Sequence, residues 1–135
     1  MLKVIIGVKG TGKTKALIAL VNEAVEKSHG DVVCIEKGVK LRYDVKYRAR
    51  LIDTNEYFVD DAQSLYGFVA GILASNHDVT DLFIDSALKI ANNDMAGFET
   101  FVKEVDELSN KLNVNVVITS SIPAEEASDL VKKYI

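Results

Sequence analysis

Gly7, Gly10 and Gly12 stand within six positions of one another, between the apolar run Leu2-Lys3-Val4-Ile5-Ile6 and a stretch in which Leu17, Leu20, Ala24 and Val25 recur on one helical face. Strand, glycine loop and helix in that order form the first half of a crossover, and crossovers are what join parallel neighbours in a sheet. The rest of the chain repeats the alternation. Val32 to Ile35, Leu51 to Asp53, Leu82 to Asp85 and Val114 to Thr119 are short apolar or β-branched runs of the kind that become fully buried parallel strands. Between them, Leu65, Phe68, Val69, Ile72 and Leu73 form a helical stripe with Asp60 or Asp61 as N-cap, and Met95, Phe98, Val102, Val105, Leu108 and Leu112 form the longest one. A last stripe, Ala127, Leu130, Val131 and Tyr134, follows Pro123, a residue suited to a first helical turn. The pattern predicts an α/β fold: a mainly parallel central sheet of about five strands, with helices on both faces.

The loop is shaped for phosphate. Residues 7–14, GVKGTGKT, satisfy G-x-x-x-x-G-K-[ST], with a strand before and an amphipathic helix after. Glycines let successive N–H groups point inward, and the positive end of the helix dipole adds to them. The expected phosphate cradle comprises Gly7, Val8, Lys9, Gly10, Thr11, Gly12, Lys13, Thr14 and Lys15. Lys13 would reach the terminal phosphates and the Thr14 hydroxyl would coordinate Mg2+. A second ligand for that ion is expected at Asp85, which ends the apolar strand of DLFIDS; an Asp there can equally cap Ser86 and the following turn.

Composition bounds the alternatives. A chain of 135 residues, 48% hydrophobic and 27% charged, is expected to form one domain, residues 1–135, around one core. Its longest apolar stretch, 67–74, is far short of the roughly 18 residues of a membrane span. No membrane attachment is expected, and the first apolar run is too short for a leader, which predicts a cytoplasmic protein. The single cysteine, Cys34, sits in an apolar run and reads as a core thiol. His29 and His77 fall in helix-ending loops, without partners at metal-binding spacing.

The order of these motifs resembles the RecA-like branch of P-loop ATPases. VVCIEKG, ending its strand at Glu36, is similar to the strand that carries that family's catalytic glutamate, and LFIDSALKI to its Walker B strand. RLIDTNEYFVDDAQSLYGFVAGILASNHDVTDLFIDS follows the family's succession of edge strand, polar turn, helix and Walker B strand. VNVVITSS resembles the strand ending in polar sensor residues, here Ser120 or Ser121. The resemblance implies a three-layer fold in which the 114–119 strand lies between the loop strand and the Asp85 strand, with the Glu36 strand beyond. It implies ATP and Mg2+ as cofactors, with Lys13 and Glu36 catalytic and Glu36 polarising the attacking water. As a residue, Glu36 reads equally as a solvated strand end beside Lys37. Counterparts of the family's nucleic-acid-binding loops after the sensor strand, and of a downstream arginine finger, are not found, so recombinase activity is not expected.

Residues 37–50, KGVKLRYDVKYRAR, hold six of the 16 Lys and Arg residues; their formal charge is +5 against −9 for the remainder. Apolar Val39, Leu41, Tyr43, Val45, Tyr47, Ala49 and Leu51 alternate with polar residues, which predicts a β-hairpin over 39–51 turning near Asp44. Its basic face would meet nucleic-acid phosphates, a neighbouring subunit to which Arg42, Arg48 or Arg50 lends charge, or only solvent. The leading expectation is an ATP-binding protein and slow Mg2+-dependent ATPase, acting as a homo-oligomer or on a protein partner. The alternatives are a nucleotide-binding module without catalysis and a small nucleoside or metabolite kinase.

Overall fold

Each of the five apolar runs expected as strands forms one in the computed structural model, which describes residues 1–135. The strands are β1 (Leu2–Ile6), β2 (Asp31–Glu36), β3 (Arg50–Asp53), β4 (Val79–Ile84) and β5 (Asn115–Ser120), in the spatial order β1-β5-β4-β2-β3. All four pairings are parallel. The 115–120 strand thus separates the loop strand from the Asp85 strand, as expected. Register aligns the carboxyl ends: Ile6 lies beside Ser120, Ile118 beside Ile84, and Ile84 beside Ile35. Whatever follows each strand therefore meets at one edge of the sheet, where open α/β sheets bind their ligands.

Alternation along the strands divides the interior in two. Leu2, Val4, Val33, Ile35, Leu82, Ile84, Val116 and Ile118 face the helices α2 (Ala62–Ser75) and α4 (Met95–Leu112). These bring Leu65, Val69, Phe98, Phe101 and Val102, each essentially without solvent contact. Val32, Cys34 and Phe83 face the other way, toward Leu17, Val21 and Val25 of α1 (Lys13–Lys27). Cys34 is a free, buried core thiol whose pKa burial pushes far up. Helix α2 starts where an N-cap was expected: the Asp61 carboxylate accepts from the Ser64 amide at 2.7 Å and the Ser64 hydroxyl accepts from the Asp61 amide at 3.2 Å. A one-turn helix, α3 (Ala87–Ile90), follows β4. After Pro123 the chain makes a 3-10 turn (Ala124–Glu126) and a short α5 (Asp129–Lys132), where a single helical stripe was expected. The Val4 amide donates to the Tyr134 carbonyl at 2.8 Å, so this last segment runs along the outer edge of β1. No helix is long and apolar enough to cross a membrane.

The expected hairpin over 39–51 is absent. Only its last residues are extended, in β3, and residues between 37 and 49 form successive turns. The apolar residues of the alternation are not equivalent: Leu41, Val45 and Ala49 are buried, whereas Val39, Tyr43 and Tyr47 are exposed by 52%, 86% and 99%. Every fourth residue points inward because the segment folds back over the sheet beside α1 and covers the face that Cys34 and Phe83 present. Asn22 of α1 locks it there. Its Nδ2 donates to the Asp44 carbonyl at 3.0 Å and its Oδ1 accepts from the Lys46 amide at 2.8 Å, while Lys46 also pairs with Glu26. A strand pairing would have satisfied the same backbone groups but left this side of the sheet bare.

Leu41→Ala is expected to cost about 2–5 kcal/mol in urea denaturation, and Tyr43→Ala and Tyr47→Ala less than about 0.5 kcal/mol each. Equal losses at the three positions would restore the hairpin.

Candidate phosphate-binding site

The loop between β1 and α1 owes its shape to its glycines at two points. Gly7 has φ of 153°, and a Cβ there would stand 2.5 Å from the Thr11 hydroxyl. Gly12, with φ of 85°, is the left-handed residue from which α1 starts. Inside the loop the Val8 carbonyl accepts from the Thr11 hydroxyl at 2.7 Å and from Lys13 Nζ at 2.8 Å. Lys13 thus lies folded back over its own loop, at the mouth of the helix dipole.

Asp85 follows the last residue of β4 and draws the edge together. Its amide donates to the Ile35 carbonyl at 2.9 Å. Its carboxylate accepts from the Thr14 hydroxyl, at 3.2 and 3.3 Å to the two oxygens, and from the Thr119 hydroxyl at 2.8 Å. Ser86 adopts a left-handed conformation, φ 58°, that turns its amide onto the Thr119 hydroxyl at 2.8 Å. The strand-end alternative for Asp85 is therefore a minor part of its bonding: its contact with the Ser86 hydroxyl is 3.5 Å long.

Thr119 was not among the expected site residues, since a β-branched residue late in a buried strand reads as core. The signal available was its polar neighbourhood, Thr119-Ser120-Ser121 at the end of an otherwise apolar run. Of the two serines expected near phosphate, Ser120 is fully buried; its hydroxyl donates to the Thr119 carbonyl at 2.7 Å and accepts from the Leu88 amide at 3.3 Å. It anchors α3. Ser121 is exposed and lines the cavity beside the loop.

That cavity, of about 720 Å³, is bordered by Lys9, Lys13, Lys15, Lys40 and Lys89 and by a single carboxylate, Asp85. Five cations around one anion leave a surplus of positive charge suited to a polyanion. Another cavity, of about 490 Å³ between α2 and α4, is bordered by Asp61, Asp94 and Glu104, and its charge repels phosphate.

Glu36 ends β2 and is 3% exposed. Its Oε1 accepts from the Lys40 amide at 3.1 Å and its Oε2 from the Leu41 amide at 3.0 Å. Burial raises its pKa above the ordinary value, partly opposed by these two hydrogen bonds, with the nearby charges of Asp85 and Asp53 adding to the rise. It is neither solvated nor free: each oxygen is engaged by one backbone amide.

Thr119→Val is expected to cost about 1–3 kcal/mol, because it strips a donor from Asp85 and the acceptor from the Ser86 amide; Thr119→Ser should recover most of that loss in thermal denaturation. For Glu36 the native state holds its proton to higher pH than the unfolded chain, so its contribution to stability falls as pH rises above 4.5. The Tm difference between Glu36→Gln and wild type should therefore move in favour of the variant from pH 4.5 upward, and parallel Tm profiles would contradict the raised pKa.

No protein-family model matches this sequence, and no curated protein does. Among solved structures, the crystal structure of a KaiC-like protein from the hyperthermophilic archaeon Pyrococcus horikoshii OT3 matches with a TM-score of 0.71 at 15% sequence identity. The match covers 98% of this chain and 66% of that one. At this identity the likeness carries the fold: the chain has the α/β architecture of a KaiC-like protein, with its own five-stranded sheet parallel throughout.

Proposed function

We propose that this protein binds ATP with Mg2+ at the loop of residues 7–15, hydrolyses it slowly, and uses nucleotide state to control assembly or a protein partner. The observation that carries the reading is the contact between the Thr14 hydroxyl and the Asp85 carboxylate at the floor of the five-lysine cavity. Two residues 71 positions apart meet where a phosphate-binding loop requires a metal-binding pair. The donor set suits magnesium. A hydroxyl and one half-buried carboxylate are hard oxygen ligands, few enough for an ion that keeps several waters and takes the rest of its shell from phosphate. No cluster of three or more His, Cys, Asp or Glu side chains offers an alternative all-protein site. Held by Thr14 and Asp85, the ion would supply positive charge against the phosphates.

In this reading Lys13 leaves the Val8 carbonyl for the terminal phosphates, and the loop amides with the first turn of α1 hold the remaining oxygens. The choice of ATP over other nucleoside triphosphates rests on the resemblance to RecA-like ATPases, supported by the shared fold. The alternative, a nucleotide-responsive module without catalysis, is favoured by one observation: both oxygens of Glu36 are already engaged. A kinase would need an acceptor pocket, and the cavity residues other than the lysines offer little to hold one. As partner surfaces, the exposed Tyr43 and Tyr47, with the Arg42 guanidinium 5.0 Å from the Tyr43 ring centre, suit a protein neighbour or nucleic acid; binding of the latter would weaken steeply with salt.

Lys13→Ala is expected to weaken ATP binding at least about tenfold while leaving Tm nearly unchanged, because a half-buried lysine at the first position of α1, outside both apolar clusters, adds little to the core. Equal affinity in titration calorimetry would remove the phosphate-site assignment. Magnesium-dependent phosphate release should be slow per subunit. A specific rate that climbs with protein concentration would mean that a second subunit completes the site, and no release with ATP still raising Tm would favour the switch without catalysis.

A further inference from the structure

Of the five lysines around the cavity, Lys9, Lys13 and Lys15 belong to the loop and the first turn of α1, and Lys89 to α3. Lys40 comes from a different part of the chain, the turns that follow β2, and its backbone is held from below. The Glu36 carboxylate takes the amides of Lys40 and Leu41, and the Asp53 carboxylate at the end of β3 takes the Gly38 amide at 2.7 Å. Leu41 is 2% exposed and anchors the next residue in the core. Three of the four positions 38–41 are thus pinned, Gly38, Lys40 and Leu41, between two strand-end carboxylates and a hydrophobic socket. The only long cation among them reaches the phosphate cavity.

Burying a carboxylate is unfavourable unless its oxygens are satisfied, and a solvated glutamate would have served a merely solvated strand end. A turn of this kind could be held by a serine or asparagine at lower cost. What the buried carboxylate adds is a fixed, charge-assisted pair of acceptors that sets where Lys40 starts.

We infer that Lys40 is a phosphate-contacting residue, a cation supplied in cis to the terminal phosphate, and that Glu36 is the positioning residue that presents it. The inference rests on the nucleotide-binding reading above and adds to it. The basic segment is an arm of the site. Glu36 acts through Lys40 instead of on water, and contact with a terminal phosphate makes the arm sensitive to whether the nucleotide is a triphosphate or a diphosphate. The exposed Tyr43 and Tyr47 lie three and seven residues beyond Lys40 on that arm, so a partner gripping them would sense the same difference.

The test is a set of titrations with ATP and with ADP, each with Mg2+, on the whole chain. Lys40→Ala should lower the preference for ATP over ADP about tenfold to a hundredfold, the scale of one charge-assisted hydrogen bond, and Lys40→Arg should restore most of it. Glu36→Gln keeps one acceptor and loses the other; it should erode the same preference in part and add nothing further on the Lys40→Ala background. A preference unchanged by Lys40→Ala overturns the inference. So does a Glu36→Gln variant that keeps full ATP preference and loses only phosphate release, since that is the behaviour of a general base. Lys13→Ala keeps the two levels apart. If it weakens both nucleotides while Lys40→Ala does nothing, the phosphate site stands and only the arm fails; if it weakens neither, the site itself is elsewhere.

Discussion

One carboxylate organises the carboxyl edge of the sheet. Asp85 joins four elements through a single residue: β4 by continuity, β2 through its amide to the Ile35 carbonyl, α1 through Thr14, and β5 through Thr119. Hydrogen bonds to a charged acceptor are each worth about 1.5–3 kcal/mol, more than a typical neutral one, and here they act between segments far apart in the chain. The glycine loop can be held at a defined distance from the sheet because its following helix is tied to the next strand but one.

The charge distribution follows from the same edge. Asp85 alone cannot balance the lysines gathered around it, and their mutual repulsion is tolerated because most of them remain exposed to water, which screens them. A polyanion entering the cavity would relieve the repulsion as it bound. Glu36 stands just outside this group and is treated differently: it is buried, with its charge spent on backbone amides. Two carboxylates at neighbouring strand ends therefore do different work, one accepting from α1 and β5 and the other fixing a turn.

Strands were legible because parallel sheets bury both faces, and continuous apolar runs are what that burial requires. Helix α2 was legible to within one residue of its cap, Asp60 or Asp61, for a similarly local reason. The segment 37–49 misled because alternation is a sufficient pattern for a strand and not a unique one. Leu41, Val45 and Ala49 form a four-residue repeat inside the two-residue repeat, and nothing local distinguishes them from Val39, Tyr43 and Tyr47. The choice was made by the bare sheet face beside α1 and by Asn22, 22 residues before Asp44 in sequence. Spacing and context singled out Lys13, Thr14 and Asp85, and the structure brings Thr14 against Asp85. Thr119 was hidden by its residue type, and Ser120 was misplaced because a hydroxyl near a strand end carries no mark of which way it points.

The sequence by itself determined the order of strands and helices, the glycine loop and its lysine, and the polar residues at the ends of the other four strands. These depend on local sterics and on hydrophobic periodicity, both written within a few positions. Only the tertiary structure decided that Thr119 would meet Asp85, that Ser120 would be turned inward, that Glu36 would be buried, and that a basic segment would become an arm reaching the cavity. Those outcomes depend on which strands become neighbours and on which sheet face is left to cover, quantities set by the packing of the whole chain.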